Sequence, residues 1–141
     1  MQKDCSLGKI EKLKSRKQLG LVFNAGKSFL VFPVKVSFLI IDNPLDFPVK
    51  AGFGVSTRYF KKAVDRNRVK RLFRECYRLN KHELLDYCAS NHLQINVFFL
   101  FVDKQLPEFA NLQTAVQSTL KKLIVQLEKN KKEKESKANN G

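Results

Sequence analysis

The segment 58–78 reads RYFKKAVDRNRVKRLFRECYR and holds nine of the 27 lysines and arginines of the chain against two acidic residues. At about 100° per residue, its apolar side chains gather on one side of a helix, where we expect them to face a protein core. The pattern therefore predicts an amphipathic helix over 64–79. The residues of this apolar arc are Val64, Val69, Leu72, Phe73, Cys76 and Leu79.

The basic side chains of the same segment form a second arc beside the apolar one. Arg66, Lys70 and Arg74 follow one another at a spacing of four, so like charge lies next to like charge. Exposed helix faces usually mix signs at this spacing, which stabilises a helix by a few tenths of a kcal/mol per pair. A merely solvated face is the alternative, but the density of positive charge favours a polyanionic partner.

The composition indicates a single domain with an anionic partner. A chain of 141 residues that is 43% hydrophobic can bury one core, and a net charge of +14 with a pI near 9.9 favours nucleic acid or an anionic membrane surface. A membrane is the weaker alternative, because the most apolar stretch, residues 93–102, is shorter than the roughly 20 residues that cross a bilayer. The first residues lack the apolar core of a signal peptide, so we expect a cytoplasmic protein.

Three cysteines, an odd number, argue against a disulfide framework. Cys76, His82, Cys88 and His92 form a series of two cysteines and two histidines, but their spacing does not match the short pairs of zinc sites. We expect no metal site in the protein, and we interpret the two histidines as solvated residues.

Residue patterns predict the elements before the basic helix. Ser15, followed three residues later by Gln18, fits the start of a helix that ends before Gly26. The segment 28–41 is rich in β-branched and aromatic residues, and Pro33 in its middle predicts either two short strands or one bent edge strand.

Alternation after Pro33 divides this segment into two faces. Residues 49–56 predict a further strand, in which Gly52 and Gly54 are more typical of close packing than of a phosphate loop. The expected core face of the earlier strand is Val34, Val36, Phe38 and Ile40, and its half-polar face is Lys35, Ser37, Leu39 and Ile41.

The C-terminal half predicts one strand and one helix. Residues 80–92 are mostly polar and form a connector, whereas residues 93–102 are apolar on both faces in their later half, as in a central strand covered on both sides. After Pro107, an apolar repeat at three- and four-residue spacing predicts a helix up to Leu127.

The predicted order is helix, two or three strands, basic helix, strand and helix, in a single domain over 15–127. The connection around the basic helix is long enough for a parallel crossover between the strands that flank it. Outside the domain we expect a flexible basic arm over 1–14 and a disordered charged tail over 128–141.

No catalytic site is recognisable in the sequence. The carboxylates are scattered and form no acidic cluster of the kind that a two-metal nuclease needs. A binding role fits better, because lysine and arginine neutralise phosphates and arginine grips a phosphate with two parallel hydrogen bonds. Asn67, between two arginines, can contact a base edge or a sugar hydroxyl.

A second binding surface is indicated by Leu19 and Phe23 on the first helix and by the strand face of Lys35 and Ser37. Apolar and aromatic side chains beside a few cations can stack the bases of a single strand. The alternative is that Leu19 and Phe23 only pack in the core.

The segment 54–75, GVSTRYFKKAVDRNRVKRLFRE, resembles the signature of the bacterial ribonuclease P protein subunit. The hallmark of that family is Arg-Asn-Arg followed by x-Lys-Arg-x-x-Arg-Glu. The similarity extends from the helix before Gly26 to the last helix near Leu127. The matching residues are Arg66, Asn67, Arg68, Lys70, Arg71, Arg74 and Glu75.

This resemblance implies an α/β two-layer sandwich with a mixed sheet of about four strands. It also implies a left-handed crossover around the basic helix, an exception to the usual right-handed rule. The implied partners are a catalytic RNA subunit and precursor tRNA, from which the RNA subunit removes the 5′ leader with Mg²⁺. No cofactor bound by the protein alone and no obligate protein partner are implied.

The resemblance also assigns site residues by position. Leu19 stands where many members have phenylalanine, Ser37 where a tyrosine can occur, and Thr57 where a lysine follows the serine. A ribosomal or other structural RNA-binding protein remains the alternative, and a protein-only metal nuclease is a third class. The implied contacts to catalytic RNA are Arg58, Lys61, Lys62, Arg66, Asn67, Arg68, Lys70, Arg71 and Arg74, and the leader cleft is Leu19, Phe23, Lys35 and Ser37.

Overall fold

The computed structural model describes residues 16–41 and 48–139. The described residues form a mixed sheet, as predicted, and four helices, one more than the sequence predicted. In chain order the elements are α1 (Arg16–Ala25), β1 (Lys27–Val31), β2 (Val34–Ile41), β3 (Val49–Val55), α2 (Ala63–Asn80), α3 (His82–Ser90), β4 (Gln94–Phe101) and α4 (Phe109–Asn139). None of these helices is both long and apolar enough to cross a membrane.

The four strands lie in the order β1-β2-β4-β3. The pairs β1–β2 and β2–β4 are antiparallel, whereas β3 and β4 are parallel. Because β3 and β4 are parallel neighbours, the chain crosses over between them through α2 and α3, which confirms the predicted crossover. Its left-handedness stays a prediction.

Strand β4 is the central element of the sheet. It pairs with a strand on each side, and each of its eight residues is buried or half-buried. The prediction of a central strand covered on both faces is therefore confirmed.

The main core lies between one face of the sheet and the two long helices. The predicted face of β2 supplies Val34, Val36 and Phe38, all buried. Helix α1 packs on the opposite face and places one fully buried side chain, Val22, there. The partners of the sheet in the main core include Val69, Phe73, Cys76 and Tyr77 from α2 and Leu112, Val116, Leu120, Leu123 and Leu127 from α4.

The buried arc of α2 is shifted from the predicted one. Tyr77, which was not predicted, is buried, whereas Val64 is 78% exposed and Leu79 is 42% exposed. The shift arises because Phe53 on β3 receives the rings of both Phe73 and Tyr77, with centroids 5.5 Å and 5.4 Å away. Aromatic packing, rather than the centre of the apolar arc, thus sets the rotation of the helix.

Two strands, and not one bent strand, surround Pro33. The register pairs Val31 with Val34, so Phe32 and Pro33 form the turn of a hairpin. Gly26 ends α1, as predicted, and a side chain there would place its Cβ 2.4 Å from the carbonyl oxygens of Val22 and Phe38. The close approach of two backbone segments therefore requires glycine at this position.

The prediction of a polar connector over 80–92 is wrong, because this segment contains α3. Leu84 and Cys88 lie one turn apart and are fully buried. The helix ends at Ser90. Two residues later, His92 has a φ of 55°, which allows the N–H of Leu93 to donate to the Cys88 carbonyl over 2.8 Å. The sequence does place Leu84, Tyr87 and Cys88 at the i, i+3, i+4 spacing of a helix, but this signal spans little more than one turn.

Helix α4 also differs from its prediction, because it continues beyond Leu127 to Asn139. Residues 128–139 contain neither glycine nor proline and are mostly lysine and glutamate, which favour helix. The prediction of a disordered tail is therefore wrong for residues 128–139. The predicted arm over 1–14 and the predicted start at Ser15 lie outside the described residues.

Candidate nucleic-acid interface

The structure brings the predicted RNA contacts together on α2 and on the loop 56–62 that precedes it. Arg66 and Lys70 are half-buried, and the other seven are exposed. We call this surface the basic ridge. It consists of Arg58, Lys61, Lys62, Arg66, Asn67, Arg68, Lys70, Arg71 and Arg74.

The loop before α2 contacts the sheet at two points, both at Phe101. The N–H of Ser56 donates to the Phe101 carbonyl over 3.1 Å. Phe60 is buried, and its ring centroid lies 6.1 Å from that of Phe101. The loop therefore holds its exposed side chains on a rigid base.

Arg66 differs from the other residues of the basic ridge. Its Nη1 donates to the carbonyl oxygens of Phe60 and Lys61, over 2.8 Å and 2.7 Å. These bonds join the first turn of α2 to the loop. The sequence carries no signal for this structural role, because both acceptors are backbone atoms.

The two acidic side chains of α2 neutralise little of the positive charge of the basic ridge. Glu75 pairs with Arg78, which is not part of the basic ridge, and the Arg78 Nε donates to the Glu75 carboxylate over 3.1 Å. This hydrogen bond lowers the pKa of Glu75. Asp65 lies in the first turn of α2, where the helix dipole favours negative charge.

The predicted residues of the second surface also share a face. Phe23 is 56% exposed and contacts Phe98 edge-on, with the ring centroids 5.2 Å apart. Ser37 pairs with Phe98 in the sheet register, and Lys35 lies two residues before Ser37 on the same face. Phe23 is thus not a core residue. We call this surface the aromatic patch; it consists of Leu19, Phe23, Lys35, Ser37 and Phe98.

Phe98 is the member of the aromatic patch that sequence reasoning missed. Alternation within β4 offered a signal, because Val97 and Phe99 face the core and Phe98 must face the other way. Its contact with α1, however, depends on the sheet order.

Gly54 makes room for this ring. A Cβ at Gly54 would lie 2.5 Å from Cζ of Phe98 and 3.4 Å from Cδ1 of Leu100. The close-packing interpretation is therefore confirmed for Gly54, which allows Phe98 to lie over β3.

The described thiols belong to the core. Burial raises the pKa of Cys76 to about 11 and that of Cys88 to about 12, so both stay protonated at neutral pH and are poor nucleophiles and metal ligands. Within residues 16–41 and 48–139, no group of three or more histidine, cysteine or acidic side chains is arranged to hold a metal ion.

Comparisons with known proteins agree on one family. The family model described as Ribonuclease P matches residues 7–127. The ribonuclease P protein component of Porphyromonas gingivalis is 37% identical over 114 residues, which cover 81% of this chain and 83% of that protein. That of Chlorobium phaeobacteroides is 33% identical over 124 residues, covering 79% and 83%.

A solved structure supports the fold. The RNase P protein of Staphylococcus aureus matches with a TM-score of 0.60 at 19% identity, over 79% of this chain and 93% of that chain. The similarity of architecture thus extends over most of both molecules.

Proposed function

The chain belongs to the ribonuclease P protein family, and from that premise we propose that it binds catalytic RNA through the basic ridge and the 5′ leader of precursor tRNA through the aromatic patch. Members of this family are protein components of an endoribonuclease, and membership implies an RNA partner. In the proposal the RNA subunit, with Mg²⁺, performs the cleavage. We further propose that the protein acts in the cytoplasm together with its RNA.

The observation that carries the proposal is the two-sided character of α2. One side is buried through Val69, Phe73 and Tyr77, so the helix is held firmly against the sheet. The other side presents arginine and lysine with few acids between them. A rigid row of cations neutralises successive phosphates and releases their counterions, and arginine adds bidentate geometry.

The aromatic patch has the chemistry of a single-strand site. The exposed ring of Phe23 offers a surface on which an unpaired base can stack, and Lys35 supplies a positive charge for the backbone. This combination tolerates different bases, because every base has a π face. It therefore suits a leader that differs from one tRNA precursor to the next.

The protein contributes binding and not bond cleavage in this proposal. The catalytic RNA and precursor tRNA are both polyanions and repel each other. A cationic protein between them lowers the electrostatic free energy of bringing the substrate to the catalytic RNA. By holding the leader, the chain also fixes the scissile bond relative to the RNA that cleaves it.

Reconstitution tests the proposal. The catalytic RNA is mixed with precursor tRNA at low Mg²⁺, with and without the full chain, and release of the leader is measured. We expect the chain to increase the rate strongly at low Mg²⁺ and less at high Mg²⁺, where the cation screens the RNA. Equal rates at low Mg²⁺ would refute the proposal, and co-sedimentation with ribosomal subunits would then support a structural RNA-binding role.

A further inference from the structure

An exposed aromatic residue lies within the basic ridge and belongs to neither set of predicted contacts. Tyr59 is 44% exposed and follows Arg58, whose guanidinium carbon lies 5.9 Å from the centroid of the Tyr59 ring. This is within the range of a cation–π interaction. The two side chains thus form a stacked pair at the surface.

The pair stands on a fixed backbone. The N–H groups of Tyr59 and Phe60 both donate to the Ser56 carbonyl, over 3.3 Å and 3.2 Å. Phe60, the next residue, is buried, and its carbonyl accepts from Arg66. Because the backbone is ordered before any ligand arrives, binding to the Tyr59 ring costs little additional conformational entropy.

The surroundings select the class of ligand. Arg58, Lys61 and Lys62 are exposed on either side of Tyr59, so the ring lies in a strongly cationic surface. Unpaired bases of folded RNA stack on aromatic rings and on arginine planes, while their phosphates take cations. An apolar peptide could pack on the ring but has no negative charge to pair with the lysines and arginine. An RNA nucleotide can stack its base on the Tyr59 ring and bind the neighbouring cations through its phosphate.

We propose that Tyr59, supported by Arg58, is a stacking site for one unpaired nucleobase of the RNA that lies along the basic ridge. This inference rests on the proposed function and adds a contact of a different kind. Phosphate contacts weaken with salt, because they release counterions. A stacking contact contributes to affinity with little dependence on salt.

Salt titration of RNA binding separates the two kinds of contact. The full chain is bound to the catalytic RNA alone, and the holoenzyme is bound to precursor tRNA with its leader; the affinity is measured from low to high salt. Tyr59→Ala should weaken one of these two affinities about tenfold, within the 5- to 150-fold range of base stacking. The slope of log affinity against log salt should stay unchanged. The measurement in which the affinity falls identifies which of the two RNAs supplies the base.

Matched variants test the nature of the contact. Tyr59→Phe keeps the π face and should bind like the wild type, whereas Tyr59→Leu keeps apolar bulk without the π face and should bind like Tyr59→Ala. Lys61→Ala should instead reduce the magnitude of the salt slope by about 0.7 to 0.9. Thermal unfolding of each variant shows whether the loop has been disturbed, and Tyr59→Leu replaces Tyr59→Ala as the test if only the latter unfolds early.

Three results would overturn the inference: unchanged affinity of Tyr59→Ala and Tyr59→Leu in both arms, a loss in Tyr59→Phe equal to that in Tyr59→Ala, or a changed salt slope in Tyr59→Ala. Failure of the proposed function looks different. In that case the wild-type chain itself would bind the catalytic RNA without a steep salt dependence, and Arg71→Ala would have no effect.

Discussion

Two arginines five residues apart on α2 have different surroundings and should respond differently to substitution. Arg66 donates to two backbone carbonyls of the loop before α2, whereas Arg71 is exposed. The family motif includes both, so the sequence alone assigns them the same role. Only the fold shows that Arg66 also supports the loop that carries Arg58, Lys61 and Lys62.

Arg66→Ala should therefore lower the free energy of unfolding by about 1–2 kcal/mol, because it removes charge-assisted hydrogen bonds. Arg71→Ala should change it by less than about 0.5 kcal/mol, as expected for an exposed side chain. Urea denaturation measures both values. Equal stabilities of the two variants would show that the Arg66 contacts contribute nothing to the loop.

The two described cysteines predict a pH dependence of stability. Burial raises the pKa of Cys76 to about 11 and that of Cys88 to about 12, above the value of about 8.5 for an unfolded thiol. Between about pH 9 and pH 11 the folded state therefore retains protons that the unfolded state has lost, so stability falls as pH rises.

Urea midpoints at pH 8 and pH 10 test this expectation. The wild-type midpoint should be lower at pH 10. The matched control is Cys76→Ala/Cys88→Ala, which should be less stable at both pH values but should lose less stability between them. An identical pH dependence in the two proteins would contradict the assignment to these thiols.

Among the secondary-structure elements, the strands were predicted well because their signal is local. Alternation identifies the buried face of β2, and the apolar run over 93–102 identifies β4. Helix α3 was missed, because its apolar spacing, Leu84, Tyr87 and Cys88, spans little more than one turn. The rotation of α2 could not be predicted either, because it depends on the rings of Phe53 and Phe99, which lie on two other elements far away in the sequence.

The aromatic patch depends on a pair of strands in the same way. Phe98 on β4 can lie over β3 because Gly54 has no side chain. Gly54→Ala should push the ring away from β3, destabilise the protein by about 1–3 kcal/mol through overpacking, and disturb the Phe23 contact.

Binding measurements distinguish this local effect from general unfolding. At a temperature at which Gly54→Ala is folded, its affinity for catalytic RNA should match the wild type, while the holoenzyme should lose part of its preference for leader-bearing precursor over mature tRNA. Phe98→Leu, which removes the ring without adding bulk to β3, is the control and should lose the same preference. An unchanged preference in both variants would remove Phe98 from the aromatic patch.

For the whole molecule, composition and the motif of α2 were enough to predict the family and the mixed sheet. The arrangement of two RNA surfaces could not be obtained from local patterns. The basic ridge is continuous in sequence, whereas the aromatic patch combines residues from α1, β2 and β4. Those elements meet only through the order β1-β2-β4-β3, which no local pattern encodes.

The central claim is that one chain carries two separable RNA surfaces, and a comparison of Phe23→Ala with Arg71→Ala tests it most directly. For each variant, three affinities are measured: that of the protein for catalytic RNA across a range of salt, and those of the holoenzyme for leader-bearing precursor and for mature tRNA. Phe23→Ala should reduce the preference for the precursor about tenfold and leave binding of catalytic RNA unchanged.

Arg71→Ala should do the reverse, with weaker binding of catalytic RNA, a salt slope smaller by about one unit, and an unchanged preference for the precursor once the holoenzyme is assembled. If the two variants lost affinity equally for all three RNAs, the claim that the two surfaces act separately would be contradicted.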